Sequence, residues 1–131
     1  MQNNISLFAE SPKRVVSFLH NTFGGELKQC GVSRNVSICL DGTTNSEIMV
    51  LPKFGSSLSG SQSFNRPGVS VGFNVSACTQ ELLSSLEREG WRSKMIKAGR
   101  KEIIEFWLEN KINLEYHSHE GKTVGLLIAH S

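Results

Sequence analysis

Residues 112–130 read INLEYHSHEGKTVGLLIAH, and the way this stretch folds back on itself decides what kind of sheet the chain builds. From Ile112 to Ser118 apolar and polar residues alternate, the period of a strand whose successive side chains point to opposite faces. His-Glu-Gly-Lys at 119–122 suits a turn, and Thr123 to His130 returns as a second strand. With the turn there, Tyr116 opposes Gly125, Leu114 opposes Leu127 and Ile112 opposes Ala129. The other face sets Asn113, Glu115 and His117 against Ile128, Leu126 and Val124. The returning strand is then apolar on both faces, which places it inside a sheet with a helix over one side. The expectation is a single α+β domain built mainly on an antiparallel sheet.

The segment before this hairpin is harder to read. In 100–110, Ile103, Ile104, Phe106, Trp107 and Leu108 satisfy a helical stripe about as well as an alternating strand. The straight-chain Glu and Lys residues and the length favour a helix. The run from Gly99 to Asn110 also resembles the second helix of an ankyrin repeat. That likeness covers about one unit, Gly99 to Thr123, without the Thr-Pro-Leu-His opening and without a second copy at the repeat period. It implies a helix here and no family for the chain. Residues 91–98 read as a short strand or irregular structure. A helix over 79–89 carries Leu82, Leu83 and Leu86 inward and ends at Gly90.

Further toward the N-terminus, Val69, Val71, Phe73 and Val75 alternate with Ser70, Gly72 and Asn74, a strand over 69–75. Residues 55–68 form a long loop with five serines, with Phe64 and Arg66 near its end. Loops of that length inside a compact domain are usually functional or mobile. Strands near 35–40 and 47–51 flank Asp41-Gly42, a strong turn signal. Leu27 to Cys30 is a candidate first strand of that meander. Ser11-Pro12 opens a helix over 12–23, with serine as N-cap and proline at N1. Val15, Phe18, Leu19, Thr22 and Phe23 make its apolar face, and Gly24-Gly25 ends it. Residues 1–10 read as a tail or a short edge strand.

Composition bounds the function classes. At 131 residues, 38% apolar and 20% charged, the chain is one domain with enough core to fold without staples. A net charge of +2 is too small by itself to argue for a nucleic-acid partner. Cys30, Cys39 and Cys78 form no C-x-x-C pair, which suits a reducing, cytoplasmic setting. The N-terminus lacks a basic segment followed by an apolar one. The longest apolar run, 124–129, falls far short of the ~20 residues of a membrane span, so no membrane partner is expected.

Four groups of side chains are candidates for chemistry. His117 and His119, with His130 as a third donor, suggest a metal; but the register above separates His117 from His130 by roughly 20 Å at ~3.3 Å per residue. No metal and no cofactor are therefore expected. Glu115 and His117 share a strand face two residues apart and form a plausible acid–base pair, with His119 as a second proton carrier. Cys78 stands at a helix N-terminus, where a thiolate is stabilised, and is a conceivable nucleophile beside His117. Arg92, Lys94, Lys97, Arg100 and Lys101 put five basic residues into ten positions. Trp91 is placed to stack there, while Glu87, Glu89, Glu102, Glu105 and Glu109 bracket the run.

Without a convergent motif, the expected function is a small cytoplasmic protein-binding domain of inhibitor or immunity type, with no catalytic activity of its own. Its macromolecular partner, protein rather than nucleic acid, would meet the 55–68 loop and the 91–101 segment. The alternative is an RNA-binding or RNA-cleaving domain, with phosphates on the basic run and His117, Glu115 or His119 moving protons.

Overall fold

A computed structural model describes residues 3–29, 36–40, 46–52, 70–119 and 125–130. The chain runs β1 (Asn3–Ala9), α1 (Pro12–Phe23), β2 (Glu26–Gln29), β3 (Val36–Cys39), β4 (Ser46–Pro52), β5 (Ser70–Val75), α2 (Thr79–Glu89), β6 (Ser93–Ala98), β7 (Lys101–Leu108), β8 (Ile112–His119) and β9 (Gly125–His130). The α+β expectation holds, with two mostly antiparallel sheets instead of one. Phe64, Arg66 and the 55–68 loop lie outside the described residues, as does the Asp41-Gly42 turn.

Both sheets follow one plan. A strand enters, a helix crosses over, and a meander returns until its last strand lies beside the first. The first sheet has the order β1-β4-β3-β2, the second β5-β9-β8-β7-β6. Three strands follow α1, so β4 comes back parallel to β1. Four follow α2, so β9 comes back antiparallel to β5. One extra strand reverses the pairing. Residues 1–10, read as a tail or edge strand, supply β1 at the edge of the first sheet. As expected, β9 is interior, between β5 and β8.

Each sheet turns one face to the helices. Ile5, Leu7, Ile38, Ile48 and Val50 line that face in the first sheet; Phe73, Ile104, Phe106, Leu114, Tyr116 and Leu127 line it in the second. α1 serves both. It packs on β1, β3 and β4, while its Phe18 ring lies 5.1 Å from Trp91 and 6.3 Å from Phe106. Phe23 meets Phe106 at 6.5 Å and Tyr116 at 5.9 Å. The resulting core is one cluster spanning both units. Among the described residues, no helix is long and apolar enough to cross a membrane.

Two expectations are corrected. The helix over 100–110 is the strand β7. Ile104, Phe106 and Leu108 are buried in strict alternation, and Ile103 and Trp107 take the opposite face. Pairing with β6 and β8 outweighs the modest helix preference of Glu and Lys, and the ankyrin-like reading goes with it. Glu109 and Asn110, both at positive φ, turn the chain directly into β8.

The closing hairpin is also shifted. Tyr116 opposes Leu127, not Gly125, and Leu114 opposes Ala129. The cause is the Tyr116 ring, which lies over Gly125 as its hydroxyl donates to the Ala77 carbonyl at 2.9 Å. A Cβ at Gly125 would stand 2.5 Å from that ring. A slip of two keeps every side chain on its expected face and changes only which residues are neighbours.

The β7–β8 turn joins the two units. The Glu109 carboxylate accepts from the backbone N–H of Glu10 at 2.9 Å and of Ser11 at 2.8 Å, just before α1. Ser11 makes no side-chain cap, so the helix entry is held by this distant carboxylate. Asn110 accepts from the Arg92 N–H at 2.7 Å and donates to the Gly90 carbonyl, just after α2. Arg14 of α1 completes the junction with Glu89 at 2.9 Å and the Trp91 ring at 5.0 Å.

Candidate functional site

The face of the second sheet turned away from the helices carries the chemistry. Strand register lays it out in rows. Ser70 and His130 share one row with Asn113. Gly72, Ile128, Glu115 and Glu105 make the next, then Asn74, Leu126, His117 and Ile103, and finally His119 and Lys101. Folding needs the alternate residues of these strands for the core, so this set is left to face outward.

Glu115 is the centre. Its Oε1 lies 2.9 Å from His117 Nε2, and its Oε2 lies 2.9 Å from His130 Nε2. His130 Nδ1 lies 2.8 Å from Ser70 Oγ. An ionised carboxylate only accepts, so each neutral imidazole presents Nε2–H to Glu115 and keeps a lone pair on Nδ1. The Ser70 hydroxyl then donates to His130. The two imidazoles, His117 foremost, hold the Glu115 carboxyl below its usual 4.5 against the opposing effect of burial. Asn113 donates to Glu105 alongside.

Next to His117 is a shallow depression of about 260 Å³, lined by Asn74, Lys101, His117, His119 and Leu126. Lys101 and His119 are directly opposed across β7 and β8. The depression and the Glu115 relay therefore share His117.

Of the residues singled out from sequence, Glu115 and His117 are brought together and His119 and Lys101 meet beside them. The basic run is dispersed. In β6, Lys94 opposes Glu105 and Lys97 opposes Glu102, and the two lysines lie on opposite faces of the strand. Arg92 covers the Trp107 ring at 4.7 Å, and Arg100 is in the exposed β6–β7 turn. Trp91 is 7% exposed, packed under Phe18 and Arg14, so it offers no stacking platform. Cys78 is exposed before α2, while His117, the suggested partner for it, turns its Nε2 to Glu115.

Sequence reasoning missed Ser70 and set aside His130. Both faces had been assigned correctly, and His130 was already on that of Glu115. The two-residue slip, which parity cannot detect, brings it within reach. Along β9 the two histidines are then roughly 13 Å apart at ~3.3 Å per residue, not ~20 Å, and Glu115 between them reaches both. Even so, no group of three or more His, Cys, Asp or Glu among the described residues is placed to hold a metal ion.

No family model and no curated protein matches the sequence. The fold does have solved counterparts. A crystal structure of the genomically encoded fosfomycin resistance protein FosX from Listeria monocytogenes, complexed with Mn(II) and sulfate, superposes with a TM-score of 0.54. A point mutant of the same protein, with Mn(II) and 1S,2S-dihydroxypropylphosphonic acid, gives 0.55. In both, identity is 14%, covering 93% of this chain and 90% of the other. The likeness is one of fold alone.

This overturns the expectation of an inhibitor or immunity-type domain without chemistry, and the RNA alternative with it. The architecture is shared with a fosfomycin resistance protein crystallised around a metal and a small phosphonic acid. The basic segment meant for phosphates is a strand edge matched against acids, and reactive side chains converge elsewhere.

Proposed function

We propose that this chain is an enzyme acting on a small polar molecule at the open face of the second sheet, with His117 taking and returning a proton. The observation that carries this reading is the 2.9 Å contact of Glu115 with His117 beside the depression. A carboxylate receiving Nε2–H orients an imidazole and stabilises its protonated form, leaving Nδ1 as the atom that exchanges a proton with a bound molecule. Lys101 adds positive charge beside the same depression and His119 a ring N–H, which favours a substrate with an anionic group. The phosphonic acid bound by the fold neighbour is of that size and charge. A reducing, cytoplasmic setting belongs to the same reading, on the strength of an odd number of cysteines with no C-x-x-C pair.

The neighbour's Mn(II) calls for several donors turned to one point. Here both Glu115 oxygens already receive imidazole N–H groups, and no set of three suitable side chains among the described residues converges. The described residues do not fit that metal, and the proton transfer proposed uses the chain's own groups.

The test is turnover by wild type and His117→Gln of a panel of small epoxides, esters and acids bearing a phosphonate or carboxylate. The reading expects turnover by wild type, reduced at least about 10²-fold in the variant with unchanged circular dichroism. Equal rates in the two would remove His117 from the mechanism.

A further inference from the structure

We infer that Ser70, His130 and Glu115 form a nucleophilic serine relay, which gives this face the capacity to hydrolyse small carboxylic esters through an acyl-serine. The inference rests on reading the open face of the second sheet as the working surface, and it goes beyond proton transfer by His117. Three observations carry it. The chain of contacts is continuous: Ser70 Oγ to His130 Nδ1 at 2.8 Å, then His130 Nε2 to Glu115 Oε2 at 2.9 Å. With His130 neutral its polarity follows, because the ionised carboxylate receives Nε2–H, which leaves Nδ1 bare to accept from the serine hydroxyl. Its exposure is graded: Ser70 is exposed, while the His130 and Glu115 side chains are 28% and 27% exposed. The nucleophile faces incoming molecules and its base is partly sheltered.

Nucleophile, base and orienting carboxylate in this sequence are what activates a serine, whichever imidazole nitrogen faces which partner. His117 supports the arrangement from the other side, since its Nε2–H on Oε1 fixes the carboxylate that orients His130. All three strands involved are regular, and the Ser70–His130 pair is a direct cross-strand one.

The reaction balances without a cofactor. Ser70 Oγ bonds to the ester carbonyl carbon as its proton passes to His130 Nδ1, and the imidazolium is stabilised by Glu115. Collapse of the tetrahedral adduct breaks the bond to the alcohol oxygen, which departs with the proton from His130. Water then gives a proton to His130 and attacks the acyl carbon. The carboxylic acid leaves, and Ser70 Oγ regains the proton. The sum is ester plus water to acid plus alcohol.

Rapid mixing with p-nitrophenyl acetate tests this directly. The relay predicts a burst of nitrophenolate and one acetyl group on the peptide bearing Ser70, with a fluorophosphonate probe labelling the same residue. Ser70→Ala, which removes one exposed hydroxyl, should abolish burst and label. His130→Gln should slow acylation about 10³-fold. Absence of label in the wild type, label on another residue, or an unchanged burst in Ser70→Ala overturns the inference. His117→Gln, whose side-chain amide can still donate to Glu115 Oε1 but cannot carry a proton, separates the two readings. Labelled Ser70, with turnover unaffected by losing His117, keeps the serine relay and removes the proton-transfer role. Panel turnover that needs His117 but survives Ser70→Ala, with no label, does the reverse.

Discussion

The first unit, β1 to β4, and the second, β5 to β9, share a plan and differ in what they do with the side that folding leaves over. Toward the helices both are apolar and buried. Away from the helices, the described positions of the first sheet include Ser6, Phe8, Glu47, Met49 and Leu51, with no histidine among them. The same side of the second sheet carries Glu115 bridging two imidazoles. A strand devotes alternate residues to the core. The other half of its sequence is less constrained by packing, although Ser37 and Cys39 of β3 are buried there, and among the described residues the second unit is the one that gathers imidazoles and carboxylates on that side.

The largest expected effect tests whether the units are thermodynamically one body. Phe106 of the second sheet is fully buried against Phe18 and Phe23 of α1, a helix that also covers the first sheet. Phe106→Ala should cost about 3–5 kcal/mol, and urea unfolding followed by fluorescence and circular dichroism should show a single shifted transition. Two separated transitions would make the units independent.

A pair of glycines sharpens the contrast next. Gly25 in the first unit has a φ of +95, and a Cβ there would meet the Cys39 carbonyl oxygen at 2.7 Å. That obstacle is backbone, so Gly25→Ala should destabilise by at least about 2 kcal/mol. Gly125 in the second unit faces the Tyr116 ring instead. Gly125→Ala should cost about 1–3 kcal/mol, and thermal midpoints rank the two. If Gly125→Ala is neutral, the ring does not determine the hairpin register.

Smaller again is the loss of the turn carboxylate. Glu109→Ala removes acceptors for two backbone N–H groups at a solvent-exposed junction, worth about 1 kcal/mol. It should speed hydrogen exchange at Glu10 and Ser11 before it alters β8.

The pH dependence of stability comes last. Glu115 ionises below its usual 4.5 in the folded chain because two imidazoles hydrogen-bond the carboxylate. A carboxyl depressed on folding contributes in full above its unfolded value, and the contribution disappears as pH falls through the folded one. Stability should therefore fall as pH drops below about 4.5, and Glu115→Gln should flatten that part of the acid limb. An unchanged acid limb would mean that the relay adds nothing to the fold.

Most of the fold was legible in the sequence because its signals are local. Pro12 and Gly90 delimit the helices where capping chemistry requires, and alternation from 69 to 75 exposes β5. Two failures have a common origin in partners remote along the chain. Residues 101–108 carry enough Glu and Lys to read as helix, and only β6 and β8 make them a strand. The hairpin register depends on Tyr116 reaching Ala77, 39 positions away. Face assignment survived that error, so Glu115 and His117 were picked out as neighbours on one face. Ser70 was not, because a serine in an alternating strand is indistinguishable from any other polar outward residue until the strand opposite is known.

Hairpin tips are ordinarily where a polypeptide forgives an inserted tag or a protease nick. The bend at Glu109-Asn110 is an exception, since side chains there rivet the entry of one helix to the exit of the other. An epitope spliced into it should loosen both the entry of α1 and the exit of α2, far apart in sequence. The neighbouring bend at Gly99-Arg100 has open space around its glycine, and is where a fluorophore or affinity handle belongs.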